Sequence, residues 1–504
     1  MDTIPLMKGE VRPRIPVRLD QRRQVIIINP AEASQNASLV PPVGLALLSA
    51  IIKQTGNHST ILDMTFDEDL SRLNQLEVTK GIYLITITTP LVNRARQIVG
   101  LIRTKDPNSF IIGGGAHPTT RKEAIFDELD LDAVTIGEVK ISQVLEALCY
   151  PDWPAQLSQV KGVIYRFAGK NYVNLPVDEW EELDRLPIAD YLSLPLEQYF
   201  TIQGFRSLSI STSRGCPYRC TYCQPMLISL FGKKVRFTSP KRAVDEIEYV
   251  VNHFKLDFLL FADDTFAFHQ DRVVEMCKEI IQRRIPILWR CQTRVGLRRD
   301  VLEWMKKAGC FLVQFGVESG SQKILDSVNK AATVEMAKET FRHCKEVGLL
   351  THSYLMVGNV GETSETITAT IELVKKIRPT FYNIGIATPY PGTYLYEYAK
   401  ANDILMDPDW DKYNHLQNAP VVKLSEFEPE ELPALKAEME LLISKESKVI
   451  RDVLRLVWDK AFVLRLLRIA WHNPGMPFRM AKLVKRAILK GGYGNRISNP
   501  LGAA

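Results

Sequence analysis

Short apolar runs alternate with amphipathic helical stretches in two parts of the chain. In the first part, the apolar runs lie at 25–28, 59–63, 83–87, 111–115 and 133–137. Helical patterns such as those at 43–53 and 91–103 separate most of them. Short apolar strands that alternate with helices are typical of a parallel sheet covered on both faces. Residues 23–150 are therefore predicted to form a doubly wound, Rossmann-like α/β domain.

A second alternating series follows a connecting segment. Residues 151–205 break the rhythm and contain a predicted hairpin around Ala168-Gly169-Lys170, so we expect a linker there. The second series occupies residues 206–425, and its predicted strands are 207–212, 258–262, 287–292, 312–317, 352–357 and 382–388. Six strand–helix units predict a full or partial parallel barrel that binds ligands at the carboxyl ends of its strands.

The two ends of the chain differ from these domains. Residues 1–22 are polar and basic and are predicted to form a loose arm, whereas residues 426–504 are helical in pattern and become basic after Lys445. Basic residues there interleave with apolar ones and with Trp458 and Trp471. This pattern favours either helices that pack on the barrel with a solvated basic face, or an amphipathic segment at a membrane interface. No RNA-binding module accompanies it, so nucleic acid is not expected as a partner.

The amino-acid composition and the N-terminal segment predict where the protein is located in the cell. The chain has 504 residues, with 46% hydrophobic and 24% charged residues and a formal net charge of +6, which is typical of a soluble multidomain protein. The N-terminus lacks the apolar region of a signal peptide, and no uninterrupted apolar run of about 18 residues is present. The sequence thus predicts a cytoplasmic protein, with membrane association at the inner face left open by the basic tail.

Three of the eight cysteines, Cys216, Cys220 and Cys223, lie in one loop with Gly215 and Pro217. Such a loop can surround three corners of a cubane iron–sulfur cluster and leave the fourth iron without a protein ligand. A zinc site is the alternative, but zinc takes four ligands and no second cysteine pair exists. The remaining cysteines are predicted to pack as small apolar side chains in a reduced compartment: Cys149, Cys277, Cys291, Cys310 and Cys344.

With Tyr222 before the last cysteine, this loop resembles the Cys-x-x-x-Cys-x-x-Cys signature of the radical S-adenosylmethionine (SAM) superfamily. The resemblance covers residues 206–400. It implies a partial (β/α)6 barrel and a 4Fe–4S cluster on the three cysteines. It also implies SAM bound to the fourth iron, and an external one-electron reductant of the flavodoxin or ferredoxin type. Cleavage of SAM would then give a 5′-deoxyadenosyl radical.

Polar residues at the predicted strand ends extend the resemblance. Asp263 and Asp264 follow the second barrel strand, Arg294 follows the third and Glu318 ends the fourth. Their positions resemble cofactor-contacting segments of the superfamily, which implies that they bind SAM. The alternative for the carboxylates is that they cap the helices that follow.

The first domain resembles the cobalamin-binding domains that accompany this superfamily. The segment 41–48 resembles their Pro-Pro-x-Gly-Leu-x-x-Leu pattern, and 113–118 and 136–138 match two further segments. The resemblance implies that Pro42, Gly44, Gly113 and Gly114 contact cobalamin; a plain tight turn is the alternative for the glycines. The Asp-x-His-x-x-Gly motif that supplies a cobalt ligand is absent, so His117 is not assigned as one. A domain that has lost cobalamin is also consistent with these residues.

The combined resemblance implies a cobalamin-dependent radical SAM methyltransferase that methylates an unactivated carbon of a hydrophobic or natural-product small molecule. Such a carbon offers nothing to acid–base chemistry, so the cofactors must supply the reactivity. The alternative is a radical cyclase or oxidative rearrangement enzyme of tetrapyrrole or hopanoid-type lipid biosynthesis. A non-catalytic cobalamin or redox sensor is a third hypothesis, which the intact cysteine motif disfavours.

Overall fold

The computed structural model describes residues 24–31, 39–177, 179–406, 409–414, 419–444, 449–479 and 481. These form two compact units, one containing residues 24–31 and 44–180, the other residues 39–43 and the described residues from 181 onward. The predicted basic arm at 1–22 lies outside the described residues, as do 445–448 and the basic segment 482–504.

The first unit is a seven-stranded sheet flanked by helices. Its strands are β1 (Gln24–Asn29), β2 (His58–Asp63), β3 (Ile82–Thr86), β4 (Phe110–Gly114), β5 (Ala133–Thr135), β6 (Val163–Phe167) and β7 (Lys170–Val173). Their order is β2-β1-β3-β4-β5-β6-β7, with β1 to β5 parallel and β6 and β7 antiparallel. The helices are α1 (Val43–Gln54), α2 (Ser71–Asn74), α3 (Val92–Lys105), α4 (Ala116–Arg121), α5 (Ile125–Glu128), α6 (Ile141–Ala147) and α7 (Trp153–Leu157).

The apolar run of β1 suits its interior position in this sheet, between β2 and β3. All four residues from Val25 to Ile28 are fully buried, because helices cover both faces of the parallel strands. The predicted hairpin turns through Ala168 and Gly169, which both have positive φ, and joins β6 to β7. Since β6 pairs with β5, the hairpin extends the sheet, and the compact unit runs to residue 180 instead of the predicted 150.

The second unit contains an open six-stranded parallel sheet. Its strands, in the order β15-β14-β13-β12-β11-β8, are accompanied by a short antiparallel pair formed by β9 and β10. The strands are β8 (Ser207–Ile210), β9 (Ser213–Arg214), β10 (Arg236–Phe237), β11 (Phe258–Phe261), β12 (Leu288–Thr293), β13 (Cys310–Glu318), β14 (Leu350–Val357) and β15 (Phe381–Ile386). Each barrel strand predicted from the sequence is present.

Helices cover the outer face of this sheet and continue beyond it. They are α8 (Leu196–Gln203), α9 (Met226–Phe231), α10 (Pro240–Phe254), α11 (Gln270–Gln282), α12 (Arg299–Lys307), α13 (Gln322–Ser327), α14 (Val334–Val347), α15 (Ser364–Ile377), α16 (Tyr394–Ala401), α17 (Leu432–Ser444), α18 (Val449–Trp458) and α19 (Lys460–His472). The start of helix α10 follows from its sequence: the Ser239 side chain caps the helix by accepting a hydrogen bond from the Arg242 amide, and Pro240 is the first helical residue.

The sheet curves around an apolar floor at the amino ends of its strands. Phe258, Leu288, Leu312, Leu350 and Phe381, one from each of five strands, belong to a single buried cluster. Three residues from the C-terminal segment complete that cluster: Leu456, Ile469 and Met476. This convergence confirms the predicted partial barrel, with helices α18 and α19 closing its bottom.

Basic residues of the C-terminal segment are bonded to the barrel. The Arg465 guanidinium donates to the Ala308 carbonyl at 3.1 Å, at the C-terminal end of α12, where a cation is favourable. Arg479 donates to both carboxylate oxygens of Asp257 at 2.7 Å. These contacts agree with the interpretation of helices packed on the barrel. None of the described helices is long and apolar enough to cross a membrane.

We expect Ile469→Ala to lower the free energy of unfolding of the barrel by about 3 kcal/mol, because it leaves a cavity in the closed floor. The matched control is Leu464→Ala in the same helix, where the side chain is 59% exposed, and its effect should stay below about 1 kcal/mol. Urea denaturation of both variants measures the difference. Equal effects would contradict the assignment of α19 to the barrel floor.

Candidate active site

The three motif cysteines lie in a loop between β9 and α9, at the carboxyl end of β8. Gly215, at φ +92°, turns the chain into this loop. Gln224 then closes it: its buried side-chain amide donates to the Cys216 carbonyl at 3.1 Å, and its side-chain oxygen accepts from the Ile228 amide at 3.1 Å. The sequence analysis missed this role, because a polar residue after the last cysteine carries no distinctive signal.

Asp263 and Asp264, which follow β11, hold the start of the cysteine loop. Asp263 Oδ1 accepts from the Thr212 amide at 3.0 Å and from the Ser213 hydroxyl, and Asp264 Oδ2 accepts from the Gly215 amide at 2.9 Å. Burial raises the pKa of Asp263 to about 6. Neither carboxylate caps the following helix, whose N-cap is His269. Their predicted contact with SAM remains a prediction.

A buried arginine, Arg272, supports this anchor from α11. Its guanidinium donates to the carbonyls of Thr238 (2.9 Å) and Thr212 (3.0 Å) and lies 5.2 Å from the Phe237 ring. The positive charge acts against the effect of burial on the pKa of Asp263. The sequence analysis missed Arg272, because an arginine in the first turn of an amphipathic helix usually faces solvent.

Arg294, which follows β12, points toward the cysteine loop. Its Nη1 donates to Cys220 Sγ at 3.4 Å, and its guanidinium lies 3.7 Å from the Tyr218 ring centroid. Its Nη2 is buried and has no hydrogen-bond partner among the residues that the structure describes. A cation with an unused donor beside a thiol suits an anionic group bound to that thiol.

Glu318, at the end of β13, forms a buried ion pair with Lys330. Lys330 Nζ donates to Glu318 Oε1 at 2.7 Å and to the Tyr222 hydroxyl at 3.1 Å, so it links the barrel to the cysteine loop. Gly316 leaves room for this pair, since a Cβ there would lie 2.6 Å from Glu318 Oε1 and 2.8 Å from Lys330 Nζ. Glu318 itself has φ +64°.

The segment that carries Lys330 is bound directly to the cysteine loop. The Thr221 amide donates to the Val328 carbonyl at 3.0 Å, and Asn329 Nδ2 donates to the Arg219 carbonyl at 3.1 Å. The sequence analysis missed Lys330, because its partner Tyr222 lies 108 positions away in the chain. The predicted residues of the barrel therefore come together at one end of it, with Lys330 added to them.

The thiols suit an iron–sulfur cluster. Burial raises the pKa of Cys216 and of Cys223, and the neighbouring cysteines raise both further. Iron would displace the thiol protons and remove this electrostatic conflict. Among the described residues, no three histidine, cysteine or acidic side chains converge on a point that could hold one metal ion. In a cubane each cysteine binds a different iron, so its thiolates surround the cluster instead of converging.

The predicted cobalamin contacts lie in two places. Gly44, in the first turn of α1 two positions after Pro42, is exposed, and a Cβ there would meet no atom within 4 Å, so packing does not explain this glycine. Gly113 and Gly114, at the end of β4, are tightly packed, with Cβ positions 2.8 Å from Leu131 and 2.9 Å from Thr135. Open space at Gly44 suits a ligand, whereas the chain's own packing accounts for the other two. The cobalamin contacts remain predictions.

His117 is fully buried, and both of its ring nitrogens have partners. Nε2 lies 2.8 Å from Glu128 Oε2, and Nδ1 lies 3.2 Å from Thr89 Oγ1. Burial lowers the pKa of His117, while Glu128 acts in the opposite direction. The His117 imidazole is therefore held by partners within the interior of the first unit.

Comparisons with known families match both units. Residues 210–374 match the profile of the Radical SAM superfamily, and residues 35–144 match that of the B12 binding domain. An uncharacterized methyltransferase of Pyrococcus horikoshii is 31% identical over 82% of this chain and 90% of its own length. The anaerobic magnesium-protoporphyrin IX monomethyl ester cyclase of Rubrivivax gelatinosus is 29% identical over 79% of this chain and 73% of its own length.

A solved structure supports the fold. The radical SAM methyltransferase TsrM of Kitasatospora setae, with cobalamin and a 4Fe–4S cluster bound, superimposes with a TM-score of 0.66. The match covers 84% of this chain and 89% of that one at 17% sequence identity. The likeness confirms the architecture of an N-terminal α/β domain followed by a partial barrel.

Removing Lys330 should destabilise the barrel, because it leaves the Glu318 carboxylate buried without its cation. We expect Lys330→Met to lower the free energy of unfolding by about 3 kcal/mol, and the double variant with Glu318→Gln to recover most of the loss. The control is Lys338→Met, whose partner Glu335 is 79% exposed, with a loss below about 1 kcal/mol. Urea denaturation measures all three variants. A Lys330→Met loss no larger than the control's would contradict the coupling.

Proposed function

The chain belongs to the cobalamin-binding radical SAM enzymes, and from this premise we propose that it methylates an unactivated carbon of a small-molecule substrate. The observation that carries the proposal is the cysteine loop, held at the mouth of the barrel beside two acidic anchors and Arg294. A 31% identical relative that carries the name methyltransferase supports the reaction class.

Some residues of the site would bind the cluster, and others hold the cysteine loop in position. Cys216, Cys220 and Cys223 would hold the 4Fe–4S cluster, and Arg294 would offset its negative charge. When bound, the cluster supplies one electron for cleavage of SAM, and cobalamin supplies a carrier for the methyl group. Asp263 and Asp264 fix the loop backbone, and Lys330 fixes the Tyr222 ring, so that the thiolates stay in place.

A radical cyclase is the second candidate function. A 29% identical relative is named as a ring-forming enzyme of magnesium-protoporphyrin and spans most of this chain, which favours a tetrapyrrole-type or other hydrophobic substrate. Both reactions begin with the same cleavage of SAM, and they differ in their products. Methyl transfer consumes a second SAM and yields S-adenosylhomocysteine, whereas cyclisation yields 5′-deoxyadenosine without it.

The enzyme needs an external reductant, and we assign this role to a flavodoxin or ferredoxin in the cytoplasm. A radical SAM barrel holds no electron source of its own, so the cluster must be reduced by a partner. The other cysteines support a reducing setting, since Cys277, Cys291, Cys310 and Cys344 are buried and free.

The product test uses anaerobically reconstituted protein with SAM, cobalamin and dithionite. We expect the wild-type chain to form 5′-deoxyadenosine and S-adenosylhomocysteine, both quantified by mass spectrometry. Cys220→Ala should bind less iron and form no 5′-deoxyadenosine, because one corner of the cluster loses its ligand. Cys149→Ala, which removes a cysteine of the first unit, is the matched control and should behave as wild type.

Two results would redirect the proposal. Formation of 5′-deoxyadenosine without S-adenosylhomocysteine, in the presence of cobalamin and a tetrapyrrole, would replace methyl transfer by the cyclase. Iron-loaded protein that forms no 5′-deoxyadenosine would overturn both functions.

The outer face of the C-terminal helices supports contact with an anionic membrane. Leu464, Leu467, Arg468 and Trp471 share one face of α19, opposite the floor residue Ile469, and Trp471 is 86% exposed. On α18, Arg451, Arg455 and Trp458 are likewise exposed, and Trp458 is also 86% exposed. Exposed tryptophan and leucine with arginine match the composition of helices that lie in a lipid interface. A membrane surface would give the enzyme access to a hydrophobic substrate.

Flotation with liposomes tests this contact. We expect the wild-type chain to float with vesicles containing phosphatidylglycerol and less with pure phosphatidylcholine, because the face is both apolar and basic. Leu467→Ser combined with Trp471→Ser should abolish flotation, whereas Leu192→Ser, at a 67% exposed leucine outside these helices, should not. Equal flotation of the double variant and wild type would end the membrane proposal.

A further inference from the structure

A polar layer crosses the interior of the barrel between the apolar floor and the cysteine loop. On β12, Trp289 points outward, where its indole donates to the Ala308 carbonyl at 3.0 Å, so the next residue, Arg290, points inward. Gln314 on β13 pairs in register with His352 on β14. One layer below, Leu288 and Leu350 belong to the floor.

These three side chains form one hydrogen-bonded chain. Arg290 Nη1 donates to Gln314 Oε1 at 3.2 Å, and Gln314 Nε2 donates to the Tyr354 hydroxyl at 2.7 Å. Gln314 Nε2 also lies 3.3 Å from His352 Nδ1. Because an amide nitrogen only donates, Nδ1 accepts, and a neutral imidazole carries its proton on Nε2. Burial and the charge of Arg290 lower the pKa of His352 to about 3, although the polar side chain of Asn383 acts to raise it. The ring is therefore neutral.

Arg290 is a buried cation without a counter-ion. It is 3% exposed, and no carboxylate among the described residues forms an ion pair with it. The groups that raise its pKa are the phenol of Tyr354 and the thiol of Cys291, and burial lowers it to about 10. A buried charge is costly unless it is paired and hydrogen-bonded. Arg272, another buried arginine of the barrel, has four hydrogen bonds to threonine oxygens instead.

Two donors of the polar layer are unused. Arg290 Nε and His352 Nε2 are both buried, and neither has a hydrogen-bond partner within 3.5 Å in the part of the chain that the structure describes, although the Asn383 side chain lies near the imidazole. A positive charge with two unsatisfied N–H groups matches the requirements of an oxyanion, which accepts several hydrogen bonds and neutralises the cation. The floor below is closed by Leu456 and Ile469, so a ligand would enter from the mouth.

We propose that Arg290 and His352 bind an oxyanion, a carboxylate or phosphate group, of the molecule that enters the barrel. This inference rests on the proposed function in one respect: the bound molecule is taken to be a reactant of the enzyme. Two sources share the chemistry: an acidic group of the substrate and the carboxylate of SAM. The charge of Arg290 lowers the pKa of Tyr354 and the charge of Glu318 raises it. Tyr354 therefore links this polar layer electrostatically to the ion pair beside the cysteine loop. The site would select substrates that carry an acidic group.

The test measures binding and needs no turnover. The thermal unfolding midpoint of the reconstituted enzyme is followed with sodium acetate or inorganic phosphate, at ionic strength matched with sodium chloride. We expect both anions to raise the wild-type midpoint. Arg290→Met should lose this rise without lowering the midpoint measured in chloride, because the unpaired cation is gone. Arg290→Lys should keep part of the rise, and Arg272→Met, the matched buried arginine, should lower the midpoint with or without the anions.

Calorimetric titration with SAM and with decarboxylated SAM separates the two sources. If Arg290→Met weakens the binding of SAM by about ten-fold or more but leaves the affinity for decarboxylated SAM unchanged, the oxyanion belongs to SAM. If SAM affinity is unchanged while the anion effect disappears, the oxyanion belongs to the substrate.

Anion effects equal in wild type and Arg290→Met, with unchanged SAM affinity, would overturn the proposal. A midpoint drop in Arg290→Met like that of Arg272→Met would assign a structural role instead. Absence of 5′-deoxyadenosine would affect only the proposed function.

Discussion

The site depends on two adjacent carboxylates, Asp263 and Asp264, which accept hydrogen bonds from the chain just before Cys216. Three thiolates can hold a cubane only if the loop that carries them keeps its shape. The carboxylates fix the loop from β11, and the Val328 carbonyl fixes it from the segment after α13. Gln224 closes its far end. Because these contacts come from separate elements, the shape of the loop depends on the strand ends of the barrel.

The apolar periodicity was sufficient to predict the fold, because six buried parallel strands leave six short apolar runs. The cysteine spacing predicted one loop for Cys216, Cys220 and Cys223, and the structure places them in one loop; their binding of a cluster stays a prediction. Lys330 and Arg272 were not predictable, because each acts through partners that are distant in the chain and each has the residue type of an ordinary surface position. Gln224 bonds to neighbours in its own loop, but a polar residue after the last cysteine carries no distinctive signal. The end of the first unit was misplaced for a related reason: the pairing of β6 with β5 cannot be read from the hairpin itself.

The barrel interior changes in polarity along its axis. Phe258 and Leu288 form an apolar floor, Arg290 and His352 a polar middle layer, and Glu318 with Lys330 an ion pair at the mouth. This order places apolar side chains at the base of the barrel, a single buried cation above them and the ion pair beside the cysteines. A reactant that carries both an apolar part and an acidic group would find a separate layer for each.

The closure of the barrel floor by α18 and α19 has a consequence for synthesis on the ribosome. Phe258, Leu288, Leu312, Leu350 and Phe381 are translated well before Leu456, Ile469 and Met476, which cover them. The nascent barrel therefore has an uncovered apolar base until the later helices emerge from the exit tunnel. Such a surface is a chaperone-binding and aggregation hazard during elongation. Chains that stop before residue 449 would keep that hazard permanently, so premature termination should yield insoluble product instead of a shortened enzyme.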